Sequence, residues 1–102
     1  MQKETGHGLW DAELRRLEGI ALFGLSRLEE AQDALEEALR VARRQKAKSY
    51  ELRAATSLAR LWGEQSRRAE SREFLAPIYG WFTEGFDTAD LKEAATLLAE
   101  LV

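Results

Sequence analysis

The sequence predicts an all-α domain of five helices, two antiparallel hairpins followed by a C-terminal capping helix. Three observations carry this reading. Apolar residues recur every three or four positions in successive segments. Leu, Ala, Glu and Arg, all good helix formers, dominate a chain that has a single proline. No stretch alternates with period two for long enough to form a strand. At 102 residues the chain is one domain at most.

Residues 1–8 are polar and carry two glycines, and are read as a flexible lead-in; the domain occupies 9–102. The first helix starts at Leu9, with Trp10, Leu14, Leu17 and Ala21 as a stripe and Gly19 and Leu22 beside it. Gly24 and Ser26 permit a turn. The second helix carries Leu28, Ala31, Leu35, Ala38, Leu39 and Ala42 on one face and glutamate pairs on the other. Its acids come early and its bases late (Arg40, Arg43, Arg44, Lys46), which complements the helix dipole. Ser49 is placed as the cap of a third helix with Leu52, Ala55, Leu58, Ala59 and Trp62 inward, ended by Gly63 and Ser66.

A fourth helix is expected over 67–82, with Leu75, Ile78 and Phe82 inward and Pro77 costing the bond to the carbonyl of Glu73. Gly85 stops it. Asp87 or Thr88 caps a fifth helix over about 88–102, with Leu91, Ala94, Ala95, Leu98 and Val102 inside. The segment PIYGWFTEGFDTADLKEA holds Tyr79, Trp81, Phe82 and Phe86. It reads as a structural corner, with Tyr79 or Trp81 left exposed for a partner.

The two hairpins superpose at an offset of 40 residues. Gly19, Leu22, Ser26, Leu28, Ala31, Leu35 and Ala38 map onto Ala59, Trp62, Ser66, Arg68, Ser71, Leu75 and Ile78. A small residue lets the second helix approach, a large one fills the gap beside it, and a small one after the turn sits at the tight crossing. This small–large–turn–small–large–small pattern resembles the tetratricopeptide repeat, a helix-turn-helix unit of roughly 34 residues. The resemblance implies a right-handed α-α superhelix, with repeat 1 over about 9–47 and repeat 2 over about 49–84. The longer unit, Glu18 in place of a leucine, Arg68 in place of an aromatic and the lack of a closing proline depart from the pattern.

A second resemblance rests on AELRRLEGIAL (12–22), LEEAQDALEEALRVARRQ (28–45), LRAATSLARLW (52–62) and FLAPIYGWFTEGFDTADLKEA (74–94). These are similar to the C-terminal ends of long bacterial proteins in which an adenylate/guanylate cyclase domain and an ATPase module precede a tetratricopeptide region. That implies a tail domain of a signalling protein. Neither cyclase carboxylates nor a phosphate-cradling glycine loop lie in these residues, so the catalysis of such proteins carries over to no position here.

The residues themselves point away from catalysis. His7, the one histidine, stands between glycines without a positioned partner. Glu29, Glu30, Asp33, Glu36 and Glu37 follow a solvated helix face rather than a metal loop. GWFTEGFD lacks the preceding strand and following lysine of a phosphate loop. Ser26, Ser49, Ser57, Ser66 and Ser71 lack a nucleophile-elbow context. No catalytic residue, metal or cofactor is expected.

A net charge of −3 and a pI near 5.2 argue against a general nucleic-acid binder. The basic run RRQKAK (43–48) has no stacking aromatics interleaved. Apolar runs such as Ile20–Phe23 are too short for a membrane span, and MQKETGHG has no signal-peptide core. With no cysteine, a soluble cytoplasmic protein is expected.

A concave partner groove is expected from Glu13, Arg16, Ile20, Phe23, Arg53, Thr56, Arg60 and Glu64, continued by Lys92 and Thr96. Three arginines on one wall suit an acidic protein or peptide. The alternative is a purely structural cap or self-association domain, in which those arginines pair internally with Glu13 or Glu64. Two repeats are fewer than such stacks normally need, so a homo-oligomer through the N-terminal helix pair is expected.

Overall fold

Three left-handed turns set the layout of the chain. Ser26, Lys46 and Ser66 have φ of 64°, 58° and 66°, and recur at a spacing of 20 residues. They separate α1 (Glu4–Gly24), α2 (Leu28–Arg44), α3 (Lys48–Glu64) and α4 (Arg68–Gly80); α5 is Ala89–Glu100. The computed structural model describes the backbone of residues 4–82 and 88–101, and side chains within them from Asp11 onward. Gly85, Phe86, Asp87 and Val102, and the side chains of His7 and Trp10, lie outside the described residues.

The same two hydrogen bonds close each turn. The amides of Arg27, Ala47 and Arg67 donate to the carbonyls of Leu22, Ala42 and Trp62, each at 2.9 Å. The amides of Ser26, Lys46 and Ser66 donate to Phe23, Arg43 and Gly63 at 2.9, 3.1 and 3.2 Å. This is the Schellman arrangement, with a non-glycine residue at the left-handed position each time. The residue that completes each turn is already the N-cap of the next helix. No room remains for a separate capping residue. Ser49, expected to cap the third helix, therefore lies inside its first turn, and Ala47 takes the N-cap.

Arg27 and Arg67 make no side-chain cap hydrogen bond and instead bridge the first turn along its surface. Each reaches forward to the third helical residue, Arg27 Nη2 to Glu30 Oε2 at 2.9 Å and Arg67 Nε to Glu70 Oε1 at 2.7 Å. Only Thr88 acts as an expected side-chain cap, its Oγ1 accepting from the Leu91 amide at 3.4 Å.

The first helix starts at Glu4, ahead of the Leu9 boundary, because its backbone hydrogen bonding runs beyond its apolar residues. The fourth ends at Gly80 rather than at residue 82, with Pro77 inside it. Phe82 and Ile78 still pack, partly buried, on the core formed with Leu75.

Successive helices pack as neighbours, and α3 also touches α1 and α5. α1, α3 and α5 thus form one layer and α2 and α4 the other. The shortest dimension, 19 Å in a 45 × 35 × 19 Å molecule, is that of two helix layers. One core cluster joins Ala38 and Leu39 to Leu52, Ala55, Leu75, Leu91 and Leu97; another joins Ala31 and Leu35 to Leu58 and Leu61.

The close crossings fall at the small residues. A Cβ on Gly19 would meet Leu35 Cγ at 2.6 Å and the Ala31 carbonyl oxygen at 3.2 Å. At the matching place 40 residues on, Ser71 Oγ donates to the Ala59 carbonyl at 2.6 Å. α1 does not face the core with the stripe Leu14, Leu17 and Ala21. Ala12, Gly19, Leu22 and Phe23 turn inward instead, because the Gly19 contact with Leu35 fixes its rotation.

Two stability measurements test this geometry. Gly19→Ala is expected to lower unfolding free energy by about 1 kcal/mol, since overpacking against buried Leu35 outweighs the gain in helix propensity. Urea denaturation showing Gly19→Ala more stable than wild type would contradict the close crossing. Ser66→Gly relieves the left-handed strain and is expected to stabilise by roughly 0.5–1 kcal/mol. A decrease in stability would show that the Ser66 side chain contributes something other than strain.

Candidate functional site

The wall expected to bind a partner is the α1–α3–α5 layer. Positions 13, 53 and 93 are successive steps of the 40-residue register, and they carry Glu13, Arg53 and Glu93. The layer therefore presents acid, base and acid across three helices.

The side chains are engaged with one another. Arg16 forks onto Glu13, Nε to Oε1 at 3.2 Å and Nη2 to Oε2 at 2.6 Å. From α3, Arg53 Nη1 donates to Glu13 Oε2 at 3.2 Å, and its Nε donates to Asp90 Oδ2 at 3.0 Å and Oδ1 at 3.2 Å. Arg60 Nη2 donates to Glu93 Oε2 at 3.0 Å. Glu13 and Arg16 are only 13% and 19% exposed, so this pair carries more weight than the more open Arg60–Glu93 contact.

The hydrogen bonds from Arg16 hold the Glu13 carboxyl below its ordinary 4.5. Partial burial opposes the shift, and the charges of Arg16 and Arg53 add to it. Arg53 is pushed up in turn, first by its hydrogen bonds to Asp90. Each arginine of the wall already has a carboxylate partner. The cleft between them, about 210 Å³ and lined by Arg16, Arg53, Thr56, Ser57, Asp90 and Glu93, is a closed electrostatic staple rather than an open anion site.

The remaining expected groove residues divide. Thr56 is buried, and its hydroxyl donates to the Leu52 carbonyl at 2.8 Å. Phe23 packs on the Ala31–Leu35–Leu58–Leu61 cluster. Neither side chain offers a free group to a partner. Ile20 is exposed beside Leu17 on α1. Glu64 lines a separate small cleft with Arg60, whose ion-pair partner is Glu93. Lys92 and Thr96 are exposed; the residue that joins the wall is Glu93, one position from Lys92. Tyr79 is half-buried against the core, while Trp81 is 58% exposed.

Sequence reasoning missed Asp90, Glu93 and Ser57. One more step of the 40-residue register from Arg53 reaches Glu93, so that residue was discoverable. Asp90 carries no such signal. Among the described residues, no helix is long and apolar enough to cross a membrane. Comparison with protein-family models, curated proteins and solved structures returns no match.

The Glu13 staple has a pH signature. A carboxylate held below 4.5 in the folded chain contributes stability fully above that pH, and the contribution is lost as pH falls through the folded value. Glu13→Gln is expected to cost about 1–2 kcal/mol near neutrality. Its deficit relative to wild type should shrink on acidification below the ordinary carboxylate range. Thermal unfolding profiles that stay parallel across that range would remove Glu13 from the staple.

Proposed function

We propose that this chain is a non-catalytic, tetratricopeptide-like interaction module that docks through the outer face of α1, in a soluble cytoplasmic setting. The observation that carries this is the position of the exposed large apolar residues. Of the five exposed large apolar side chains among the described residues, four lie on α1 or the turn that ends it, Leu14, Leu17, Ile20 and Leu25, respectively 55%, 48%, 42% and 66% exposed; the fifth is Trp81. Such a concentration of exposed apolar side chains marks an association surface rather than ordinary scatter.

The repeat register supports the kind of occupant. Leu14, Leu17 and Ala21 correspond to Ala54, Ser57 and Leu61 of α3. There Ala54 is buried in the cluster containing Ala38 and Leu39, and Leu61 in the cluster containing Ala31 and Leu35, all four from α2. The face that α2 covers on α3 is the face left uncovered on α1 among the described residues. Its 3–4 spacing suits a helix. For this chain alone the occupant is a second copy, α1 against α1 in a two-fold contact. Within a longer cyclase- and ATPase-bearing parent of the kind the sequence resembles, a preceding helix pair takes the same place.

The paired arginines favour a structural role for the wall around Arg53, and the proposal gives it no ligand. Light scattering is expected to show a dimer at high micromolar concentration. Leu14→Glu with Leu17→Glu should return it to a monomer with unchanged helical circular dichroism, since both side chains are exposed in the single chain. A wild-type chain that stays monomeric at high micromolar concentration overturns the proposal.

A further inference from the structure

The basic run 43–48 has no aromatic interleaved in sequence, yet the fold brings one to it from 33 residues away. Trp81, at the C-cap of α4, stands at the same end of the molecule as the turn between α2 and α3. Lys48 Nζ lies 4.7 Å from the centre of the Trp81 ring. Arg43, Lys46, Lys48, Glu51 and Trp81 together line an open cleft of about 550 Å³.

The charges of this cleft are not cancelled as they are in the Arg53 wall. Three cations face one carboxylate. Glu51 is 7% exposed and holds two of them, Arg43 Nε at 2.9 Å and Lys48 Nζ at 3.3 Å. Lys46 pairs with no carboxylate among the described residues. The backbone that carries Lys46 is also held in place. Lys46 sits in a left-handed turn closed by two backbone hydrogen bonds, Lys46 to Arg43 and Ala47 to Ala42. Little backbone ordering is left to be done when a ligand arrives.

We infer that this cleft binds a short acidic peptide segment carrying an apolar or aromatic side chain. The carboxylates meet Lys46 and the outward edges of Arg43 and Lys48, and the apolar side chain lies on Trp81. Exposed tryptophan and arginine are the residue types that most often dominate such contacts. A single nucleic-acid strand is the poorer ligand. Its affinity grows with the number of phosphates neutralised. Here a net charge of −3 over the chain repels a polyanion beyond the cleft.

The site is independent of α1 docking, so the test is made on the ¹⁵N-labelled Leu14→Glu, Leu17→Glu chain. It is titrated with a blocked peptide of alternating glutamate and phenylalanine, the same peptide with lysine for glutamate, oligothymidylate, and phosphatidylserine vesicles. The acidic peptide is expected to shift the Trp81 indole N–H and the amides of 43–48, with a sub-millimolar dissociation constant that rises with salt. Lys46→Gly keeps the left-handed turn and removes the charge; Trp81→Ala removes the ring. Each should weaken the peptide about tenfold, equivalent to about 1.4 kcal/mol.

The lysine peptide should give no localised shift. Absence of shifts at millimolar acidic peptide, shifts spread away from the cleft, or affinity unchanged in both variants overturns the inference. So does tighter binding of oligothymidylate or of vesicles at the same salt, which assigns the cleft to a nucleic acid or to a lipid surface.

Discussion

The structure depends on α3 being covered on every side but the narrow face that carries Arg53, Ser57 and Arg60. It is the one helix that touches the other four, and the two other helices of its layer, α1 and α5, do not touch each other among the described residues. A helix in that position has only that narrow solvent face on which to keep polar side chains at no cost. Its sequence meets the demand in two ways. Ala54, Ala55 and Ala59 let neighbours approach closely, and the polar residues that remain are satisfied: Thr56 by its own helix, and Glu51 by Arg43 and Lys48. An unpartnered buried polar group there would cost on the order of 1–3 kcal/mol, a large share of what a chain of this size has to spare.

From that constraint follows the sorting of charge. Arg53, two residues beyond Glu51 and on the other side of the helix, reaches α1 through Glu13 and α5 through Asp90. It joins two helices that have no direct packing between them. The arginine wall that resembles a binding groove in sequence is consumed by this task. At the helix ends, Arg27 pairs with Glu30 and Arg67 with Glu70 across the first turn, and Arg68 donates to the Glu100 carbonyl at the end of α5. Lys46, in the turn after α2, is among the cations that take no carboxylate partner in the described residues, as are Arg72 on α4 and Lys92 on α5.

How much of this was legible depends on distance along the chain. The faces of α2 follow from its period, and the close crossings at Gly19 and Ala59 follow from the 40-residue register. α1 was ambiguous because it is apolar on two sides. Leu14, Leu17 and Ala21 make as good a stripe as Ala12, Gly19, Leu22 and Phe23, and only the contact with Leu35 decides between them. The cap of α3 escaped because Lys46 occupies a backbone conformation normally assigned to glycine, which brings the helix start forward to Ala47. The partners of Arg53 and the meeting of Lys48 with Trp81 join residues more than 30 positions apart. No local pattern encodes such pairs; they are properties of the folded layer.

Two surfaces remain that the interior does not use, the outer face of α1 and the cleft beside Trp81, and α3 stands between them. Glu51 anchors the cleft, and Arg53 anchors the wall that reaches α1. Coupling between the two would need an element with two arrangements that both ligands bias. α3 is a poor candidate. Leu52, Leu58 and Leu61 are each at most 1% exposed, and rotating or sliding the helix would open cavities on several sides at once. Glu51 can exchange one cation for another without moving the backbone that carries it. The packing therefore favours a rigid strut with two separate docking points over a switch: a ligand in the cleft adds a contact to the molecule without changing what α1 offers.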